Sequence, residues 1–133
     1  MKIYELDSVR ANNFSEDVGQ KIGYLWQQTM TKIEPGEVVY AVYHEYAGDF
    51  TADYTLSLAV EKAEKGKELV LDDGTYKAFP VVPSSTGFSQ DNVLQAWQEI
   101  WALEKAGKLK RRYEKDFEKY EADDQVCIYI SVY

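Results

Sequence analysis

The chain has 133 residues (15.3 kDa), 45% of them hydrophobic and 14% aromatic, with a net charge of −8 and a pI near 4.7. That length fits one domain, able to bury roughly two-thirds of its unfolded surface, and the acidic balance argues against a nucleic-acid binder, which presents a positive field to phosphates. One cysteine, Cys127, excludes an internal disulfide framework; neither a signal-peptide core nor a run of about 18 apolar residues is present, so the cytoplasm is the expected compartment and a membrane partner is not expected.

Residues Ile3 to Val9 read as a strand, and Ser15 as the N-cap of a helix with Glu16 and Asp17 in its first turn. Val18, Ile22, Leu25, Trp26, Thr29 and Ile33 then recur at spacings of three and four, the pattern of an amphipathic helix, which Pro35-Gly36 ends. Val38 to Tyr46 and Tyr54 to Val60 are rich in Val, Tyr and Leu and form a hairpin around Gly48-Asp49. Glu61 to Glu68 is a charged connection. Asp72-Asp73-Gly74 is a turn, Thr75 to Val82 a strand ended by Pro83, and Ser89 the cap of a second helix carrying Val93, Leu94, Trp97, Ile100, Trp101 and Glu104 on one side. Phe117 to Tyr120 and Val126 to Val132 close the chain as a hairpin around Asp123-Asp124. The basic run Lys105, Lys108, Lys110, Arg111, Arg112 and Lys115 sits at the end of the second helix, where it reads as a solvated turn complementing the helix dipole.

The order strand, helix, strand, strand occurs twice. A shift of 75 positions maps Val18, Ile22, Leu25 and Trp26 onto Val93, Trp97, Ile100 and Trp101, Tyr4 onto Phe79, Tyr43 onto Glu118, and Glu45 onto Tyr120. This predicts an α+β domain spanning 1–133, made of two β-α-β-β units (about 1–64 and 68–133) that share one antiparallel sheet. Both main helices then lie on one face of the sheet, with a central groove between them.

The chemistry available to such a groove is limited by what the chain holds. One His and one Cys supply no His/Cys zinc site, and neither Gly66-Lys67 nor Gly107-Lys108 ends a phosphate-binding loop. His44, in phase with Val42 and Tyr46 and opposite to Tyr43 and Glu45, reads as a strand-surface residue, and Cys127 as a small buried hydrophobe. No metal and no cofactor is expected. What remains is a set of carboxylates among rings. If Tyr43 and Glu45 face the groove, Glu118 and Tyr120 face it too; the alternative is that Glu118 points to solvent on an amphipathic strand. A buried carboxylate costs several kcal/mol unless paired, protonated or neutralised by a ligand cation, and Trp26, Tyr43, Trp97 and Trp101 could each add roughly 0.5–2 kcal/mol to holding that cation. Eleven tyrosines suit a wall that is apolar without being dry.

Several segments resemble one known family. They are Gly23-Tyr24-Leu25-Trp26-Gln27, Val39-Tyr40-Ala41-Val42-Tyr43-His44-Glu45-Tyr46 with Gly48-Asp49-Phe50, Asp53-Tyr54-Thr55-Leu56, Gly74-Thr75-Tyr76-Lys77-Ala78-Phe79, Ala96-Trp97-Gln98-Glu99-Ile100-Trp101, and Asp116-Phe117-Glu118-Lys119-Tyr120 with Ile128-Tyr129-Ile130-Ser131-Val132. In order and spacing they are similar to the effector-binding domains of the bacterial GyrI-like superfamily, in its stand-alone integron-cassette type, a relative of the ligand-binding halves of AraC-type and MerR-type multidrug-responsive activators. The resemblance implies an inward Glu118 as the acid of a Phe-Glu-x-Tyr motif, with Tyr43, Trp97 and Tyr54 at recurrent aromatic positions. Trp26, Trp101, Glu45, Tyr120 and Phe79 complete the expected ligand contacts. The implied ligand is an amphipathic, lipophilic cation, bound by a sensor or sequestering module tied to transcription regulation. The activators place a helix-turn-helix segment before this domain; here the domain opens at the first residue, so no direct nucleic-acid contact is expected. The Pro83-to-Gly87 stretch departs from the family in the loop before the second helix. Some relatives are hydrolases of reactive electrophilic natural products, which gives Glu118 and Tyr43 as the alternative catalytic pair, and others inhibit DNA gyrase, which admits a protein partner or a homodimer.

Overall fold

The computed structural model describes residues 2–48, 51–62, 64, 66–71, 74–81, 90–121 and 125–133. The turn residues Asp49, Phe50, Asp72, Asp73, Asp123 and Asp124, the Pro83-to-Gly87 stretch and the Ser89 cap lie outside them. The chain is α+β, in the order β1 (Lys2–Ala11), α1 (Val18–Met30), β2 (Val39–His44), β3 (Tyr54–Val60), β4 (Lys67–Val70), β5 (Tyr76–Pro80), α2 (Gln90–Lys105), β6 (Asp116–Tyr120) and β7 (Val126–Ser131). The seven strands form one sheet, β4-β1-β3-β2-β6-β7-β5, in which every pair is antiparallel. Among the described residues no helix is long and apolar enough to cross a membrane.

With β4 set aside, the strand order runs symmetrically outward from the β2–β6 seam. Along that seam Val42 lies opposite Phe117, with Ala41 opposite Glu118 and Tyr43 opposite Asp116. Val42 and Phe117, which correspond under the shift of 75, thus lie opposite one another at the centre of the seam. Each helix packs on its own half. α1 sets Leu25 against Ala11, Leu56 and Leu58, while α2 sets Val93, Trp97 and Ile100 against Ile128 and Ile130. Because the two cores are separate, the space over the seam is left to side chains that project from the sheet. A third cluster, Ile3, Tyr40, Val42, Ala59, Leu71 and Phe117, covers the opposite face.

Three local expectations are corrected. Glu61 to Glu68 is not merely a connection: Lys67–Val70 forms edge strand β4, paired with Lys2 to Glu5. Lys67 and Glu68 are charged and exposed, as at a protected sheet edge, and four residues are too few to show an alternation. Gly66 permits that approach, since a Cβ there would lie 2.1 Å from the Glu5 carbonyl oxygen. Ser15 does not cap α1; its hydroxyl donates to Asp17, which occupies the N-cap position without a side-chain cap bond, and no acidic residue lies in the first helical turn. The first helix also stops at Met30, before Pro35-Gly36. Gly107 ends α2 in the left-handed region (φ 74°), with Lys108 N–H bonded to Leu103 C=O at 2.9 Å and Gly107 N–H to Glu104 C=O at 3.0 Å, a Schellman cap.

Ile100 is fully buried between α2 and the sheet. Ile100→Ala is expected to lower unfolding stability in urea by about 2–5 kcal/mol; a loss below about 1 kcal/mol would contradict this packing.

Candidate ligand-binding site

A cavity of about 420 Å³ lies over the seam, between α1 and α2 and floored by the sheet, within the range of small-molecule sites. α1 contributes Val18, Ile22 and Trp26; α2 contributes Val93, Leu94, Trp97 and Trp101; Tyr43, Tyr54 and Glu118 rise from the strands. Asn13, Tyr46 and Arg111 reach in from the connections, and Gly19 and Gly23 leave the α1 wall without side-chain bulk.

Glu118 is the polar centre of this cavity and is only 3% exposed. Its Oε2 accepts the Tyr43 hydroxyl at 2.8 Å and the Trp97 indole N–H at 2.6 Å, and its Oε1 accepts the Tyr120 hydroxyl at 2.6 Å. All three donors are neutral. No basic side chain among the described residues pairs with this carboxylate. Burial pushes the Glu118 carboxyl above its ordinary value, and the bonds from Tyr120, Trp97 and Tyr43 pull in the other direction. Burial and the neighbouring Glu118 charge together hold the Tyr43 and Tyr120 hydroxyls well above their ordinary value, so both remain donors. A carboxylate has about four acceptor positions, so three bonds leave one, on Oε1, for a further donor.

The rings are fixed by one another. Trp97 meets Tyr43 edge-on at 5.0 Å, Trp26 meets Tyr120 edge-on at 5.0 Å, and Tyr43 lies 5.3 Å from Tyr54. The Tyr54 hydroxyl donates to Asn13 at 2.8 Å. Phe14, largely exposed, lies 6.3 Å from Trp101 and links the β1–α1 connection to α2.

Of the residues expected here, Glu118, Tyr43, Trp97, Trp26, Tyr54 and Trp101 line the cavity. Tyr120 stands behind it as a donor to Glu118. Phe79 packs under α2, outside the cavity. Glu45 is outside as well, its side chain 67% exposed, and Tyr46 takes the inward place instead. The reason is backbone geometry. Glu45 adopts φ 54°, which ends β2 at His44 and reverses the alternation that would have sent Glu45 inward and Tyr46 outward.

His44 is buried (8% exposed), not on the strand surface. Its Nε2 lies 2.8 Å from Ser57 Oγ on the opposite face of the sheet, and the Ser57 hydroxyl donates to Glu5. Burial lowers the proton affinity of His44, against the pull of Glu45 and Glu5. Cys127 is partly exposed rather than buried. Arg111 departs most from expectation: within a run whose Lys105, Lys108 and Lys110 are exposed, it is 6% exposed and reaches the cavity. A backbone bridge to Val132 turns it inward. Among the described residues, no cluster of three or more His, Cys, Asp or Glu side chains is placed to hold a metal ion.

No family model matches the sequence, and no curated protein matches it. Among solved structures, the chain is similar in fold to the Vibrio cholerae integron cassette protein VCH_CASS2. The likeness covers 100% of this chain and 90% of that one, with a TM-score of 0.77 and 24% identity.

Burial sets a pH signature. The folded chain holds the Glu118 proton more tightly than the unfolded chain, where the value is near 4.5. The stability from this group is therefore complete below pH 4.5 and is lost as pH rises through the raised folded value. Relative to Glu118→Gln, the wild type is expected to lose stability as pH rises above 4.5 in urea unfolding at fixed ionic strength. A difference that does not vary with pH would contradict a desolvated carboxyl.

Proposed function

We propose that this chain binds amphipathic, lipophilic cations in the cavity between its helices, with Glu118 as counter-ion and Trp26, Tyr43, Tyr54, Trp97 and Trp101 as its walls. The observation that carries this reading is a buried carboxylate that has three neutral donors and, among the described residues, no cation paired with it. A ligand cation offers the compensation that hydrogen bonds alone leave incomplete, and surrounding ring faces favour a flat, delocalised charge. The net charge of −8 adds a long-range attraction for cations.

On this reading the chain is a GyrI-like effector-binding domain acting as a sensor or sequestering module. The fold shared with an integron cassette protein supports the architecture. Residues 1–133 form the domain, with halves of about 1–64 and 68–133 that meet at Val42 and Phe117, so that the site lies where the repeats meet.

A second reading has one specific observation in its favour. A carboxyl of raised proton affinity stands between two tyrosine hydroxyls, the equipment of a general base acting on a reactive electrophile. Mass spectrometry after incubation with a cyclopropane- or epoxide-bearing compound separates the two, since hydrolysis adds water to the compound and binding leaves its mass unchanged.

The binding reading is tested by titrating the protein with planar cationic dyes and following tryptophan emission. Saturable quenching is expected, with the affinity reduced about 10- to 100-fold in Glu118→Gln, a loss of about 1.4–2.8 kcal/mol. Equal affinity in wild type and variant would contradict Glu118 as counter-ion.

A further inference from the structure

Two acids stand two residues apart on β6, and the fold treats them differently. Asp116 is saturated. Its Oδ2 accepts Arg111 Nη2 at 2.7 Å and the Tyr46 hydroxyl at 2.5 Å, and its Oδ1 accepts the Ser131 N–H at 2.8 Å. The Arg111 guanidinium lies 4.2 Å from the Tyr113 ring centre and 5.8 Å from those of Tyr46 and Trp97. Its Nη1 lies 3.4 Å from Glu104, outside the cavity lining, and that acid also accepts the Tyr113 hydroxyl. Tyr113 holds φ 56°, a left-handed backbone unfavourable for a bulky residue, which the contacts of its ring and hydroxyl maintain. Arg111 is thus a resident cation in an aromatic cage with its own counter-ion. It lines the same cavity as Glu118, and Trp97 joins the two, its ring beside the guanidinium and its N–H on Glu118.

Without Arg111 this stretch of β6 would offer two acids to a ligand, about 7 Å apart by the rise of a strand, the complement of a compact dication. With Arg111 in place only Glu118 is uncompensated. A second positive charge in the cavity would meet a guanidinium fixed in the wall, with Asp116 already bonded to it and Glu104 outside the lining, and like charges in a poorly solvated site repel strongly. We infer that Arg111 is a specificity residue that restricts the cavity to ligands carrying one positive charge, seated at Glu118, and rejects compact dications. This rests on the cation-binding reading above and adds to it the charge count of the ligand.

The test pairs two probes of similar size: an alkyl-substituted benzamidine, with one charge, and a bis-amidine whose charges lie about 7 Å apart. Calorimetric titration at neutral pH is expected to show the wild type binding the monocation at least tenfold more tightly than the dication. In Arg111→Met the order is expected to reverse, because Asp116 is then unmatched. Circular dichroism checks that this variant folds. If it does not, the Arg111→Met/Asp116→Asn double variant removes the pair as a unit, and the preference is expected to shrink towards parity. Equal or tighter dication binding by the wild type overturns the inference and leaves the cation site standing, as does a tenfold preference that survives in the folded variant. If the wild type binds neither probe, the cation-site reading fails and this inference with it.

Discussion

The bonds that converge on Glu118 from Tyr43, Trp97 and Tyr120 set the requirement that the rest of the site answers. A buried carboxylate needs compensation of charge as well as of hydrogen bonding, and neutral donors supply only the second in full. The first half of the chain contributes one donor and the second half contributes two. The groove is open because α1 and α2 bury their apolar faces in separate cores, leaving the seam to be lined by rings and one acid. Tyr43 from the first half and Glu118 from the second meet over the seam as hydroxyl and carboxylate.

Asp116 shows what the fold does with an acid it intends to neutralise itself. It receives a guanidinium, a tyrosine hydroxyl and a backbone N–H, and the guanidinium is flanked by rings. Glu118, one register step along the same strand face, receives comparable hydrogen bonding and comparable rings without the cation. The contrast locates the incomplete element of the site at a single group.

Much of the architecture was legible because long amphipathic stripes and Val/Tyr-rich runs carry their period openly, as in Val18–Trp26, Val93–Trp101 and Tyr54–Val60. The inward placement of Glu118 followed from the family resemblance alone, since alternation along one short strand, even with the shift of 75, left two faces open. The features that the sequence pattern does not show have local causes. The exchange of Glu45 for Tyr46 depends on one positive φ at a residue with no glycine to advertise it. Arg111 was hidden in a basic run whose other members are solvated or only partly covered, and nothing in composition separates a buried guanidinium from its exposed neighbours. β4 is a four-residue edge strand that opens on Lys67 and Glu68, too short to show a period, and the Ser15 hydroxyl donates to Asp17 instead of accepting from a backbone N–H of α1.

The most direct measurement of the central claim is the titration of the Glu118 carboxyl by carbon-detected NMR, first in the free protein and then with a saturating planar cation. The account requires a value above 4.5 in the free protein, because burial disfavours the charge, and a fall on binding, because the ligand supplies the missing counter-charge. An ordinary value in the free protein, or one that does not move when the cation binds, would contradict it.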